Sequence, residues 1–516
     1  MIIQFLEFSG EAPRWHPRVL GDGFAQQALL TKFDRRTLAP YKQTGNVFVP
    51  SKAGTMQTIY RFGQDTNSDT SYWFHWPEVV SVIRSPTTDA TDERTYYFGD
   101  GAPKVTDESL ALSGGGTDYP INYYLLGLPR PGAASTSVAG TPTSDVPDTR
   151  VYAYTYVTAW GEEGPPSLPS AEVDVKPGET ATVDISAALP SGAYNIAFKR
   201  IYRTSTGASS TAFLFVAEVP ATDVSYVDIV ETGALGELMQ STTWEQPPSD
   251  LVGAVLMPNG VILAWRENEL WMCEPFVPHA FPPEYTLATD SKIVGVAVSG
   301  MTAVVVTHDT PYLVSGVHPD SMTMERLDIP QAGVSQRAVI PVMGGVAYAS
   351  PDGIVFDNGR QPEVITKDLF RREDWQALNP SSMHFYVHEN RLFCFYDATS
   401  IGGDAGGFLI DFFGETQSVV RIGQYYTAGY VDQKRDALFL CGDVGALTGA
   451  GYPVFGTGST TQATQAVWGE ENFRAVRTTQ ARQTVAGVGK LSYSGAITTA
   501  QVSQGDSASG TVSVGG

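Results

Sequence analysis

Short apolar stretches separated by polar turns run along most of the chain, and their spacing is that of strands. "RTYYFGDGAPKVT" (residues 94–106) and "TAVVVTHDTPYLVSG" (residues 302–316) each read as two strands around a turn. Apolar residues recur at helical spacing in two places, 24–33 ("FAQQALLTKF") and 367–378 ("KDLFRREDWQAL"), and these predict two helices. The rest predicts an all-β chain.

Hairpin-like units begin near Leu251, Ile293, Ala338, Ser381 and Thr427. That recurrence, about 40–47 residues, matches the blade of a β-propeller. Each unit has an apolar strand, a polar turn such as His308-Asp309 or Glu389-Asn390, and a second apolar strand. A lone hairpin leaves one apolar face exposed, and radial stacking buries it. Similar hairpins occur before residue 130, so a β-propeller built from both halves of the chain is expected. Residues 46–130 would give its first hairpins and 233–455 its remaining blades. Between them, residues 150–232 hold enough turn-separated strands for a small β-sandwich, with Tyr154, Tyr156, Trp160, Ile201 and Tyr202 as its core. Its tyrosine-rich strand, "WGEEGPPS" and the "IYR" strand resemble a fibronectin type III module. The Ser/Thr/Pro/Gly-rich stretch 131–149 reads as a linker into this insert. Residues 1–45 read as an N-terminal arm and 456–516 as a C-terminal β-domain.

Composition supports many short strands: 52 Gly, 33 Pro, 24 Tyr and 24 Phe among 516 residues. The formal charge of −22 disfavours an electrostatic grip on nucleic acid, although not its passage. Cys273, Cys394 and Cys441 are too far apart for a metal knuckle and odd in number, so buried reduced thiols are expected. The first residues lack a basic signal-peptide region, and no apolar run is long enough to span a membrane. A soluble protein made in a reducing compartment is expected.

The chemical candidates are weak. His384 and His388 stand four apart, but in a strand-patterned stretch, which points to a structural role rather than a metal pair. Glu162-Glu163 and Glu470-Glu471 resemble paired acids only in composition, and their turn-like settings predict solvated side chains. Trp73, His75 and Trp76 fit a sugar-stacking platform, yet fit an aromatic core better. Gly114–Gly116 does not follow a strand and open a helix, as a phosphate loop must. No nucleophile elbow is present. The expectation is a protein without catalytic residues, cofactor or metal.

The stretch "PRWHPRVLGDGFAQQALLTKFDRRTLAPYK" and the strand pair "RTYYFGDGAPKVT" together resemble the tail nozzle, or tail tubular protein B, of short-tailed bacteriophages. That family has a proline-anchored N-terminal segment, then a Gly/Ala-rich stretch, then a proline return toward the first propeller strand. Here Leu29-Leu30-Thr31 replaces the family's Asn, and Ala39-Pro40 stands at the return. "WGEENFRAVRTTQARQ" is similar to the strand that follows the propeller in related tail hub proteins. The resemblance implies a homohexameric ring below the head–tail adaptor, binding tail fibres or distal tail proteins and conducting genome DNA without gripping it. It implies location in the virion tail after synthesis in the host cytoplasm. Arg14, Trp15, Arg18, Phe24 and Phe33 would anchor the arm on its own propeller or on a neighbouring copy, unless the arm is only the first strand and turn of the propeller. Gly402, Gly403 and Asp404 in one Gly-rich loop, and Asp443 and Tyr452 in another, would face the channel or be passive surface turns.

The rival reading is a glycan-binding or glycan-cleaving propeller at the host surface, using "SYWFHWPE", Trp265, Trp271 and carboxylates such as Asp352 and Glu389. Two carboxylates within about 10 Å across a deep central pocket would distinguish it.

Overall fold

A computed structural model of the protein describes residues 48–63, 72–87, 94–204, 212–359, 362–411, 419–422 and 424–442. It also describes short pieces of the first 46 residues and three strand fragments beyond residue 450. The described chain is nearly all β, arranged as many small antiparallel sheets. Among the described residues, α-helix is confined to Glu108–Ala111 and Arg372–Gln376.

Four four-stranded antiparallel runs follow the sandwich in chain order, over 253–288, 293–326, 339–364 and 384–422, and another precedes it over 81–125. Two hairpins, Thr58–Arg61 with Trp73–Trp76 and Tyr426–Asp432 with Ala437–Gly442, complete the set. The central strands are apolar at nearly every position because both of their faces are buried. In Thr302–Thr307, Ala303 and Val305 face the 253–288 sheet, while Val304 and Val306 face the 339–364 sheet. In Arg391–Asp397, Leu392 and Cys394 point one way, and Phe393 and Phe395 the other. Tyr96 and Phe98 pack toward the 253–288 sheet, while Tyr97 packs toward the 58–76 hairpin. Ala437 and Phe439 pack on Ile59 and Trp73 of that same hairpin. From the 81–125 sheet to the 426–442 hairpin, the first strand of each unit lies beside the first strand of the next, and Tyr426–Asp432 lies beside Thr58–Arg61.

At the contact between the first and last hairpins, Arg61 and Asp432 form a 2.8 Å ion pair with no exposure of the arginine and almost none of the aspartate. The second Asp432 oxygen accepts the Lys434 and Arg435 N–H groups at 3.1 and 3.2 Å, closing the turn that follows.

The insert is a sandwich of small sheets. Tyr152–Thr158, Ile196–Thr204 and Phe213–Pro220 make one, and Ser135–Gly140, Glu179–Asp184 and Ser225–Asp228 another. Its core holds Tyr152, Tyr154, Tyr156, Val183 and Ile201. The segment expected as a linker therefore contributes a strand, since Ser135–Gly140 pairs along its whole length with Glu179–Asp184. Its Ser/Thr composition hides the inward-turned Val138. Two expected core residues lie elsewhere. Tyr202 packs with Ala153 and Met239 on another face, and Trp160 packs outside the sandwich against Tyr124.

The helix expected over 24–33 is corrected as well: Phe24–Ala25, Gln27–Leu29 and Thr31–Lys32 are strands. The edge of the 384–422 sheet offers unpaired backbone groups, and satisfying them outweighs a helical spacing of apolar side chains. The helix expected over 367–378 is limited to Arg372–Gln376, around the fully buried Trp375. Removing one partner of a buried ion pair leaves an uncompensated charge, which costs about 3–5 kcal/mol. Arg61→Met is therefore expected to lower stability by that order in denaturant unfolding. The double variant Arg61→Met/Asp432→Leu is expected to lose less than Arg61→Met alone.

Candidate assembly surfaces

The N-terminal arm adds strands to the open edge of the 384–422 sheet. Gly10–Glu11 pairs with Val419, and Leu29 lies beside Arg421. Its anchor is Glu11, 1% exposed, whose carboxylate accepts the Ala28 N–H and lies 3.0 Å from the Arg421 guanidinium. Burial raises the Glu11 carboxyl above its usual range, against the pull of Arg421. Arg14 is next to be held: its backbone N–H donates to Leu369 at 2.8 Å, and its side chain reaches the Lys367 carbonyl and Asp368. The arm thus lies on its own chain. Of the residues expected to anchor it, Arg14 does so, Phe24 is half-buried in a strand beside Gly10, and Trp15 is 53% exposed. Arg18 and Phe33 lie outside the described residues. Glu11, which sequence reasoning missed, has no local signal because its partner is 410 residues away.

Of the expected loop residues, Gly402, Gly403 and Asp404 are exposed. Gly402 sits in the left-handed region at φ 84°, in open space, where it ends a single 3-10 turn. Asp443, Tyr452 and the acids Glu470-Glu471 lie outside the described residues.

The remaining candidates have structural surroundings. Trp73, His75 and Trp76 are buried, as is Trp265. Asp352 bonds Gln331 at 2.9 Å and pairs with Arg372, in a turn between second and third strands. Glu389 contacts Arg391 at 3.3 Å in a turn between first and second strands. The two acids thus occupy different kinds of turn in neighbouring sheets. Glu162 and Glu163 are not solvated, contrary to expectation. Glu162 is 2.9 Å from Arg94, and Glu163 accepts from Thr155, Tyr202 and Ser241 while pairing with Arg200 at 2.9 Å. The bond from Ser241 ties the sandwich to the segment leaving it. Among the described residues no group of three or more His, Cys, Asp or Glu is placed to hold a metal. The three cysteines are buried thiols rather than disulfides, and burial pushes the Cys273 thiol up to about 12.

Two histidines are favoured in the neutral form by burial, against the pull of the carbonyls they bond. His75 Nδ1 donates to the Trp73 carbonyl at 2.9 Å, leaving Nε2 to accept the Ser51 and Lys52 N–H groups at 3.2 Å. His384 sits in the strand His384–His388 and donates from Nε2 to the Tyr426 carbonyl at 2.8 Å. Burial lowers both values below the ordinary 6.5, that of His384 far below.

No family model matches the chain, and no curated protein does. Several solved structures are similar in part. The N-terminal domain of Nup159 matches at TM-score 0.28 and 9% identity, over 46% of this chain and 68% of that one. The computationally designed Ika8 protein matches at TM-score 0.31 and 9% identity, over 80% and 99%. YCF48 bound to D1 peptide matches at TM-score 0.23 and 10% identity, over 39% and 65%. Such values fall short of a shared overall topology, so the description of the fold rests on strand pairing and packing.

Two outcomes are expected. A folded-state histidine value below the unfolded one contributes stability above pH 6.5 that is lost as pH falls toward the folded value. Melting temperatures should accordingly drop between pH 6.5 and 5, and His384→Gln should flatten that drop. On the arm, Glu11→Ala should make the bond after Arg14 sensitive to brief trypsin treatment. Glu11→Gln keeps the bond from Ala28 without a buried charge and should protect it better.

Proposed function

We propose that this chain is a structural ring subunit of the tail nozzle of a short-tailed bacteriophage. In this reading the seven packing units form a closed β-propeller with their first strands innermost, interrupted by the sandwich. The observation that carries it is the seam at Arg61 and Asp432. The hairpin 58–76, which precedes the sandwich, packs against both the 81–125 sheet and the last hairpin, 426–442. Such packing supports one propeller drawn from both sides of an insert, as the resemblance to the nozzle family implies. The arm, laid along the edge of the 384–422 sheet, supports the same reading. It fixes a segment that leaves Trp15 and Val19 exposed for a neighbour.

The proposed subunit assembles as six copies beneath the head–tail adaptor, meets fibres or distal tail proteins below, and lets DNA pass. A closed ring needs two different contact surfaces on each copy. Net charge of −22 per copy favours release of phosphate backbones over their retention.

Native mass spectrometry with negative-stain imaging tests this, on the protein alone and with the adaptor of the same particle. The expected result is a ring of six 55.5 kDa copies with a central hole, formed alone or on the adaptor. A monomer indifferent to the adaptor would sink the proposal.

A further inference from the structure

The sandwich meets the sheets at one crowded junction. Trp160 and Glu162 follow the sandwich strand Tyr152–Thr158, and the 81–125 sheet brings Arg94, Tyr96 and Tyr124 to them. The Arg94 guanidinium lies 4.7 Å over the Trp160 ring and 2.9 Å from Glu162 Oε1. Trp160 in turn meets Tyr124 edge-on at 5.4 Å. Beside them stands His279, in the loop after Glu269–Met272, with its ring edge-on to Trp244 at 5.8 Å.

His279 is 9% exposed, and neither ring nitrogen has a well-aligned hydrogen-bond partner, although a Glu163 backbone group acts on the ring in favour of its charged form. The carboxylate of Glu162 is 3.9 Å from Nδ1, too far for one. Buried polar groups are well paired with few exceptions, so an imidazole held this loosely in a closed site stands out. The charged groups acting on it are Glu162 and Glu163 from the sandwich and Arg94 from the sheet, with the Tyr96 phenol beside Arg94. Burial favours the neutral ring and prevails over the pull of the two glutamates, with Arg94 acting on the side of burial. A neutral ring fits the space. A cation would enter a closed site where Glu162 is already held by Arg94.

We propose that His279 is a proton-sensitive latch for the sandwich. While the ring is neutral, the sandwich stays docked on the 81–125 and 253–288 sheets. When the ring takes up a proton, the sandwich undocks as a body, pivoting on its two connections, 126–134 and 231–250. Each body has its own buried core, so undocking does not require unfolding. Free of the junction, the ring titrates near the ordinary 6.5, and docked it titrates lower. Docking is therefore at full strength above pH 6.5 and weakens as pH falls below it.

Hydrogen–deuterium exchange of the full chain, corrected for intrinsic rates and followed from pH 8 to 5, tests this alongside far-UV circular dichroism. The expected result is a several-fold gain in exchange at 126–134, 160–164 and 231–250 below pH 6.5, with the β signal unchanged. His279→Gln and His279→Phe should each abolish that gain, so one folded variant suffices. Unchanged exchange in the natural sequence down to pH 5 would overturn the latch. So would an equal gain in a folded variant, or a gain that coincides with loss of the β signal.

Discussion

Arg61 and Asp432 are separated by 371 residues and meet out of reach of water. Seven sheet units pack in succession, and such a series leaves an apolar face open at each end unless the ends meet. The contact between the two end hairpins is mostly greasy, with Ile59 and Trp73 against Ala428, Ala437 and Phe439. Apolar surfaces alone fix their mutual alignment only loosely, because the hydrophobic effect is non-directional. A buried charge pair tolerates one alignment. Its net contribution to stability is small or even negative against an apolar replacement, which leaves the alignment of the two hairpins as its role. Asp432 does this with one oxygen while the other closes the following turn. The turn and the seam are thereby one unit.

The same device recurs where other distant segments meet. In the sandwich, the buried Asp228 carboxylate receives Arg203 and the Tyr152 hydroxyl, tying three strands across the two sheets. On the arm, Glu11 gathers Ala28 and Arg421. Glu163 holds the middle of the strand Tyr152–Thr158 at Thr155, the strand carrying Arg200 and Tyr202, and the departing segment at Ser241. Charges are sparse in this chain, and a notable share of those on its inside sit at joints between segments far apart in sequence.

This distribution explains what could be read in advance. Strand character was legible because the central strands, such as "RLFCFYD" and "ALFLCG", are apolar on both faces and bounded by polar turns. The unit starts were legible for the same reason: strands begin at Gly253, Ile293, Val339, His384 and Tyr426, close to where the repeat placed them. Features that depend on a remote partner were not legible. "STSVAG" reads as linker until its partner strand is known, and "FAQQALLTKF" reads as helix until the open sheet edge is known. Glu162-Glu163 reads as a solvated turn because nothing nearby announces Arg94 or Arg200. Trp160 reads as sandwich core because local pattern cannot tell an inward aromatic from one turned toward a second body.

In the proposed ring, charge and assembly pull in opposite directions. Copies carrying −22 repel one another at a distance, but at physiological salt that repulsion decays over about 8 Å. Association in the proposed ring would then be carried at short range by apolar contact and shape. The described surface offers such material in several places, with Trp15 and Val19 on the arm, Val224, Val227 and Ile229 at the end of the sandwich and Val317 between strands of the 293–326 sheet. Scattered anchors of this kind bind weakly one at a time and gain strength when several are engaged at once. A template that aligns the copies would engage them together. For the proposed ring, this would favour assembly on an existing particle over assembly in free solution, where repulsion keeps single copies apart.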